Sequence, residues 1–243
     1  MIPFLKKWKE GHRPRCAVLV AAAGHSSRMG GINKILQPLD GVPVLARTLV
    51  SLQLASGVDE IIVATREENL VEISQLCHSY NITKCTKVVR GGVDRVHSVL
   101  QAALECAPET ELLAVHDGAR PLVTPELIDR VICAAVNCGA AAPAVPVKDT
   151  IKVIREDGSV AETPDRGTLR AVQTPQVFQA DLLKAALQAA IDKCASVTDD
   201  CSAVELLGKK VYLVEGDEEN LKITTPADLI VAEAILAERK VRK

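Results

Sequence analysis

From Cys16 to Val214 the sequence alternates short runs of small and β-branched apolar residues with longer amphipathic stretches, and this alternation constrains the fold more than any other feature. The short runs read as strands at Cys16–Ala22, Glu60–Ala64, Thr86–Arg90, Glu111–His116, Ala140–Val147 and Lys210–Val214. Helical patterns lie between them, near Pro43–Ser56, Glu67–Ser79, Arg95–Cys106, Pro125–Cys138 and Ala180–Lys193. Strands that are apolar on both faces and separated by helices predict βαβ units. The expected fold class is therefore α/β, with a Rossmann-like, mostly parallel sheet and helices on both faces. A last helix, about Pro226–Arg239, opens at TTPADL. There Thr225 suits the N-cap, Pro226 the first turn and Asp228 the positive helix end.

One segment breaks the rhythm. KDTIKVIREDGSVAETPD, Lys148 to Asp165, carries two alternating runs around Asp157-Gly158, a hairpin signal. A two-stranded ribbon is marginal alone in water, so this arm, over about residues 148–170, is expected to pack on something. Its own domain is one candidate and a second subunit the other, which would make the protein a homodimer through the β-arm. Residues 16–243 otherwise read as one domain behind a basic N-terminal extension, residues 1–15. That extension, MIPFLKKWKEGHRPR, puts its charges after a short apolar patch, the reverse of a secretory signal. No apolar run reaches the roughly 18 residues a membrane span requires. A cytoplasmic protein without membrane contact is expected.

Composition narrows the partners. Lys and Arg total 29 against 31 Asp and Glu, a formal charge of −2, which argues against a nucleic-acid polymer. One Trp, two Tyr and two Phe leave no aromatic platform on which to stack bases. The eight cysteines include no Cys-x-x-Cys pair, so free thiols are expected and a zinc site is disfavoured.

Chemistry concentrates at strand ends. VLVAAAGHSSRMGGINKIL, Val18 to Leu36, runs from a strand into small residues and two cations, Arg28 and Lys34. Ala22, Ala23 and Gly24 leave backbone N–H groups uncovered, Arg28 can fork onto phosphate oxygens, and Lys34 adds a point charge. A tight strand–helix turn with solvated cations is the plainer reading. The P-loop pattern fails, because no Gly-Lys-Ser/Thr exists. The dinucleotide fingerprint fails too, because His25-Ser26 follows Gly24 and no acidic residue ends a second strand.

In LLAVHDGARPLVTPEL, Asp117 ends an apolar strand, where open α/β sheets bind ligands. It could hold Mg²⁺ or a ribose hydroxyl, with Gly118 letting a ligand pass, or it could cap the turn and pair with Arg120. His116 reads as structural before it reads as a base. In VVRGGVDRVHSVL, Gly91 and Gly92 follow a strand, Asp94 can cap a helix and Ser98 lies one turn in. Arg166 lies beyond the hairpin, Thr174-Pro175 marks a bend, and Lys222 sits in a short strand pattern where a cation needs an anionic partner.

Taken together, AAAGHSSRMG, HDGARP, the Asp165-Arg166 pair after the arm, TPQ and VEGDEENLKITTPADL resemble the 2-C-methyl-D-erythritol 4-phosphate cytidylyltransferase family over about residues 16–240. The resemblance implies a nucleotidyltransferase-type fold. It also implies transfer of CMP from CTP to 2-C-methyl-D-erythritol 4-phosphate, a small phosphorylated polyol, with a divalent metal, Mg²⁺. By that resemblance Arg28 and Lys34 sit on the triphosphate, and Ala22, Ala23 and Gly24 line ribose and base. Gly92 and Ser98 help to select cytosine, and Asp117 lies near ribose and metal. Arg166 and Lys222 position the acceptor, with Arg166 reaching a neighbouring subunit's site, and Thr150 and Thr174 add contacts. The sequence departs from the family pattern at Ser26, where a glycine is common, around Lys34, and at Val93, where an acidic residue is common.

Elementary chemistry agrees with that implication. Nucleotidyl transfer asks a protein for positioning and charge neutralisation. A phosphate monoester is already an anionic nucleophile, so no Ser-His-Asp arrangement is required. Rival readings are a sibling enzyme using ribitol 5-phosphate, a nucleotide-binding regulator with a dead site, and, most weakly, a dehydrogenase.

Overall fold

A computed structural model describes residues 13–24 and 33–242. The first apolar run forms β1 (Cys16–Ala22), buried almost throughout. Successive side chains leave a strand on opposite faces. Cys16, Val18, Val20 and Ala22 thus enter one core, while Ala17 and Leu19 enter another. Strand β6 (Leu112–Asp117) does the same, with Leu112 and Ala114 on the first side and Leu113 and Val115 on the second. Neither face meets water, so these strands lack the polar alternation of a half-exposed sheet.

After β1, a short ribbon of β2 (Pro38–Leu39) and β3 (Val42–Pro43) leads into α1 (Val44–Leu54). There follow β4 (Glu60–Thr65), α2 (Leu70–Ser79), β5 (Cys85–Arg90), α3 (Arg95–Leu104), β6, α4 (Pro125–Cys138) and β7 (Ala140–Pro146). The arm comprises β8 (Val153–Ile154) and β9 (Val160–Glu162). The chain then continues through β10 (Arg170–Val172), β11 (Gln176–Gln179), α5 (Ala180–Asp192), α6 (Asp200–Glu205), β12 (Tyr212–Glu215) and α7 (Pro226–Val241).

The main sheet runs β10-β7-β11-β6-β1-β4-β5, with β12 beside β7. Strand β1 is parallel to β4 and β6, β4 to β5, and β12 to β7, whereas β10 and β11 run antiparallel to their neighbours. Helices α1, α2, α4 and α7 cover one face, and α3, α5 and α6 the other. The expected α/β class and two-sided covering are thus present. Among the described residues, no helix is long and apolar enough to cross a membrane.

Local signals explain several boundaries. Thr225 closes a capping box with Asp228 at the start of α7. Gly139, in the left-handed region at φ 85°, ends α4. In the arm, Gly158 takes φ 81° and the Asp157 carboxylate accepts from Ser159 N at 2.9 Å and Ser159 Oγ at 2.7 Å. Ile154 of the arm is 66% exposed and Val160 50%, so this apolar surface is left largely uncovered by the described residues.

Two sequence expectations need correction. Strands β10 and β11 were not expected, and they pair antiparallel where the βα rhythm suggests parallel order. The segment around Lys222 is not a strand but irregular backbone leading to α7.

Candidate active site

Parallel strands β1, β4, β5 and β6 end on the same side of the sheet, and their carboxyl ends open into a cavity of about 270 Å³. Strand β1 delivers Ala22, and the turn beyond it Ala23 and Gly24. Lys34 reaches the cavity from the segment before β2, and Arg66 is the first residue after β4. Gly91 and Gly92 come from the turn between β5 and α3, Ser98 from the first turn of α3, and Asp117 from the end of β6. Lys222 completes the lining from the segment before α7.

Packing dictates the two glycines. A Cβ on Gly91 would lie 2.7 Å from Ala23 Cβ, and one on Gly92 2.3 Å from His97 Cβ. The turn is pulled onto β4 by Gly91 N–H, which donates to Thr65 O at 2.6 Å. Gly92 N–H donates to Ser98 Oγ at 3.0 Å, and that hydroxyl donates to Asp94 O at 2.6 Å. Asp94 caps α3 by accepting from His97 N at 2.9 Å. Ser98 is therefore buried and fastens the turn that faces the cavity.

Charge converges on Asp117. Its Oδ1 receives Arg95 Nη1 at 2.8 Å, and its Oδ2 receives Lys222 Nζ at 2.9 Å and Arg120 Nε at 3.4 Å. Burial works against an ionised carboxyl here, but Arg95, Lys222 and Arg120 outweigh it and hold Asp117 well below the usual carboxylate range. Arg95 also reaches Asp200 Oδ2 at 2.7 Å. Burial pushes the Asp200 carboxyl up, and Arg95 offsets this only in part. Three cations thus face two carboxylates, leaving one positive charge in excess beside Lys34. Such a cavity suits an anionic ligand.

Several sequence candidates do not line this cavity. Gly118 packs beneath it, where a Cβ would meet Leu45 Cδ1 at 3.1 Å, so its small size serves packing rather than ligand passage. Thr174 is buried and supports Asp117 from behind; its Oγ1 accepts from Asp117 N at 3.1 Å and meets His116 Nδ1 at 3.1 Å. Burial pulls His116 down to about 3, which keeps it neutral and structural. Arg166 is exposed on a short turn after the arm and donates to Lys148 O at 2.7 Å, while Thr150 is exposed on the arm itself. Arg28 and Ser26 lie outside the described residues.

Arg66, Arg95 and Asp200 escaped sequence reasoning. Arg66 had a positional signal, the first place after a parallel strand. Arg95 and Asp200 are 105 residues apart, and no local pattern links them.

Donor chemistry bears on a metal. Mg²⁺ commonly takes one or two carboxylates together with substrate phosphates. Among the described residues no group of three His, Cys, Asp or Glu could hold an ion. Asp117 and Asp94 are the carboxylates on the cavity wall, and Asp117 is held ionised among Arg95, Lys222 and Arg120.

The family model for 2-C-methyl-D-erythritol 4-phosphate cytidylyltransferase matches residues 16–238. The protein of that name from Pelotomaculum thermopropionicum is 44% identical over 231 residues, 94% of this chain and 97% of its own. A crystal structure of 4-diphosphocytidyl-2C-methyl-D-erythritol synthase from Anaerococcus prevotii superposes with a TM-score of 0.81 at 31% identity, covering 92% of this chain and 96% of the other. The cytidylyltransferase from Thermus thermophilus gives 0.74 at 33% identity, covering 91% and 98%.

Proposed function

This chain belongs to the 2-C-methyl-D-erythritol 4-phosphate cytidylyltransferase family, and from that premise we propose how its cavity performs the reaction. The enzyme transfers CMP from CTP to 2-C-methyl-D-erythritol 4-phosphate, giving 4-diphosphocytidyl-2-C-methyl-D-erythritol and pyrophosphate. A phosphate oxygen of the acceptor attacks the α-phosphorus of CTP in line. The new P–O bond forms as the bond to the β-phosphate bridging oxygen breaks, and pyrophosphate leaves.

In this reading the triphosphate lies along Lys34 and Arg28, the ribose over Ala22, Ala23 and Gly24, and the cytosine against Gly92. The observation that carries it is the single excess positive charge around Asp117 at the carboxyl ends of the parallel strands. Two anions must approach each other, and preorganised cations lower that barrier most effectively in a partly dry site. Lys222 is 41% exposed, whereas Arg120 is 11% exposed on its side chain, so Lys222 is the partner able to exchange Asp117 for the acceptor phosphate. Asp117 would be the protein ligand of Mg²⁺, which supplies charge neutralisation on the phosphates.

Arg166 and Thr150 stand outside their own protomer's cavity, and the arm carries uncovered apolar surface. Both features support a homodimer in which each arm brings Arg166 and Thr150 to the partner's acceptor site. A cytoplasmic enzyme without membrane or nucleic-acid partners is in keeping with the charge balance.

Pyrophosphate release tests the proposal. Purified protein with Mg²⁺ and CTP is expected to release it with 2-C-methyl-D-erythritol 4-phosphate and not with ribitol 5-phosphate. UTP or ATP in place of CTP is expected to give none. Release with ribitol 5-phosphate alone would overturn the acceptor assignment.

A further inference from the structure

At the amino-terminal end of β5, opposite the end that feeds the nucleotide cavity, two thiols meet. Cys77, in the last turn of α2, and Cys85, the first residue of β5, stand with their sulfurs 3.6 Å apart. The chain between them is tied on both sides. Ile82 N donates to Cys77 O at 2.9 Å, Cys85 N donates to Ile82 O at 3.1 Å, and Asn81 takes φ 51° to make the turn.

The strand adds its own distortion. Ile61 of β4 faces Cys85 and Ile62 faces Lys87, so Thr86 is an extra residue in an edge strand. Such a bulge re-aims the side chains beside it. Here it accompanies a Cys85 side chain turned toward α2 rather than left pointing to solvent.

Both thiols line a cavity of about 380 Å³, whose wall also includes His78 and Lys87. The cavity gives even Cys77, 7% exposed, an approach for a small molecule. Hydrogen bonding with Cys85 draws the Cys77 thiol down, while the same bond and burial push the Cys85 thiol up, so Cys77 is the first nucleophile of the pair. None of these residues belongs to the nucleotide cavity.

We propose that Cys77 and Cys85 form a thiol–disulfide exchange site that takes a small disulfide oxidant from the adjoining cavity. One thiolate attacks the oxidant RSSR, forming a mixed disulfide and releasing one RS⁻. The second thiol loses its proton and attacks the protein sulfur of that mixed disulfide, forming the Cys77–Cys85 bond and expelling the other half as RS⁻. The two RS⁻ take up the two thiol protons, so two RSH leave. Two electrons pass from the cysteines to the oxidant. The sulfurs need only close from contact to about 2.05 Å, a movement side-chain rotation can supply.

The test uses the full-length protein, fully reduced, freed of reductant, and exposed to glutathione disulfide before an acid quench and alkylation. Titratable thiols are expected to fall by two from the eight present. Intact mass is expected to fall by about 2 Da, the two hydrogens lost on disulfide formation. Cleavage after Lys84 separates the two cysteines, so a linked pair of peptides identifies the bond directly. Dithiothreitol should restore all eight thiols. Cys85→Ser is expected to stop at a single glutathione on Cys77. If the exposed Cys133 and Cys194 become glutathionylated while no Cys77–Cys85 link forms in the wild-type protein, the proposal is overturned. That wild-type map decides the matter even if a variant fails to fold.

Discussion

Arg95→Met isolates the charge arrangement behind the cavity. Methionine keeps much of the side-chain volume but removes the guanidinium that holds Asp117 at 2.8 Å and Asp200 at 2.7 Å. Asp200 is 2% exposed, and deletion of one partner from a buried ion pair costs about 3–5 kcal/mol because the other charge stays desolvated. In a chain of 243 residues that corresponds to a fall in Tm of about 6–20 °C.

The pH dependence has a definite sign. Burial raises the folded-state pKa of Asp200 above its unfolded value, so this carboxyl opposes folding when ionised and is relieved as pH falls through the folded pKa. Loss of Arg95 raises that pKa further. Asp117 behaves oppositely: its depressed pKa contributes stability above the unfolded carboxylate pKa, lost only on further acidification. Its contribution therefore leaves the upper window unchanged. Urea unfolding should show a deficit that shrinks between about pH 7.5 and about pH 5. Adding Asp200→Asn to Arg95→Met should recover much of it. A deficit below about 1 kcal/mol, or one equal at both pH values and untouched by Asp200→Asn, would refute the reasoning.

Four further outcomes test the site. Lys34→Ala and Arg28→Ala should each lower turnover by about 10²–10³-fold in a pyrophosphate-release assay, the usual loss on removing a preorganised charge stabiliser. Arg166→Ala should raise KM for 2-C-methyl-D-erythritol 4-phosphate while calorimetry finds CTP affinity unchanged. Gly92→Ala places a Cβ 2.3 Å from His97 Cβ, so the turn must shift, and CTP binding should weaken by about tenfold or more, equivalent to 1.4 kcal/mol. Ile154→Lys together with Val160→Lys should yield monomers by sedimentation velocity with circular dichroism unchanged. Activity should fall with the dimer if the partner's arm completes the site.

Much of this was legible in the sequence because period and burial coincide. Strand β1 could be read to the residue, since both its faces are buried and small or β-branched residues fill it. The antiparallel pair was hidden for a different reason. Strand β11, QVFQ, passes straight into α5 with no turn residue between them, so no punctuation marks its end. Strand β10 is three exposed residues, RAV, with too little pattern to register. Asp117 and Lys222 were visible because each breaks an apolar context, yet their pairing at 2.9 Å spans the chain and is a property of the fold. Gly118 and Thr174 lie behind the cavity wall, because the small and hydroxyl residues that permit a ligand also serve close packing and backbone support. The arm was legible from Asp157-Gly158 because a turn of that kind is encoded locally.

The two-sided burial of β1 has an energetic corollary. Val18 and Leu19 are joined by a peptide bond, yet one belongs to the compartment of α1 and α4 and the other to that of α3 and α5. Trimming either leaves a void that its own helices alone can collapse into. Consecutive residues in this strand are therefore thermodynamic strangers, whereas Val18 and Val20, one residue further apart in sequence, share the same void and the same fate.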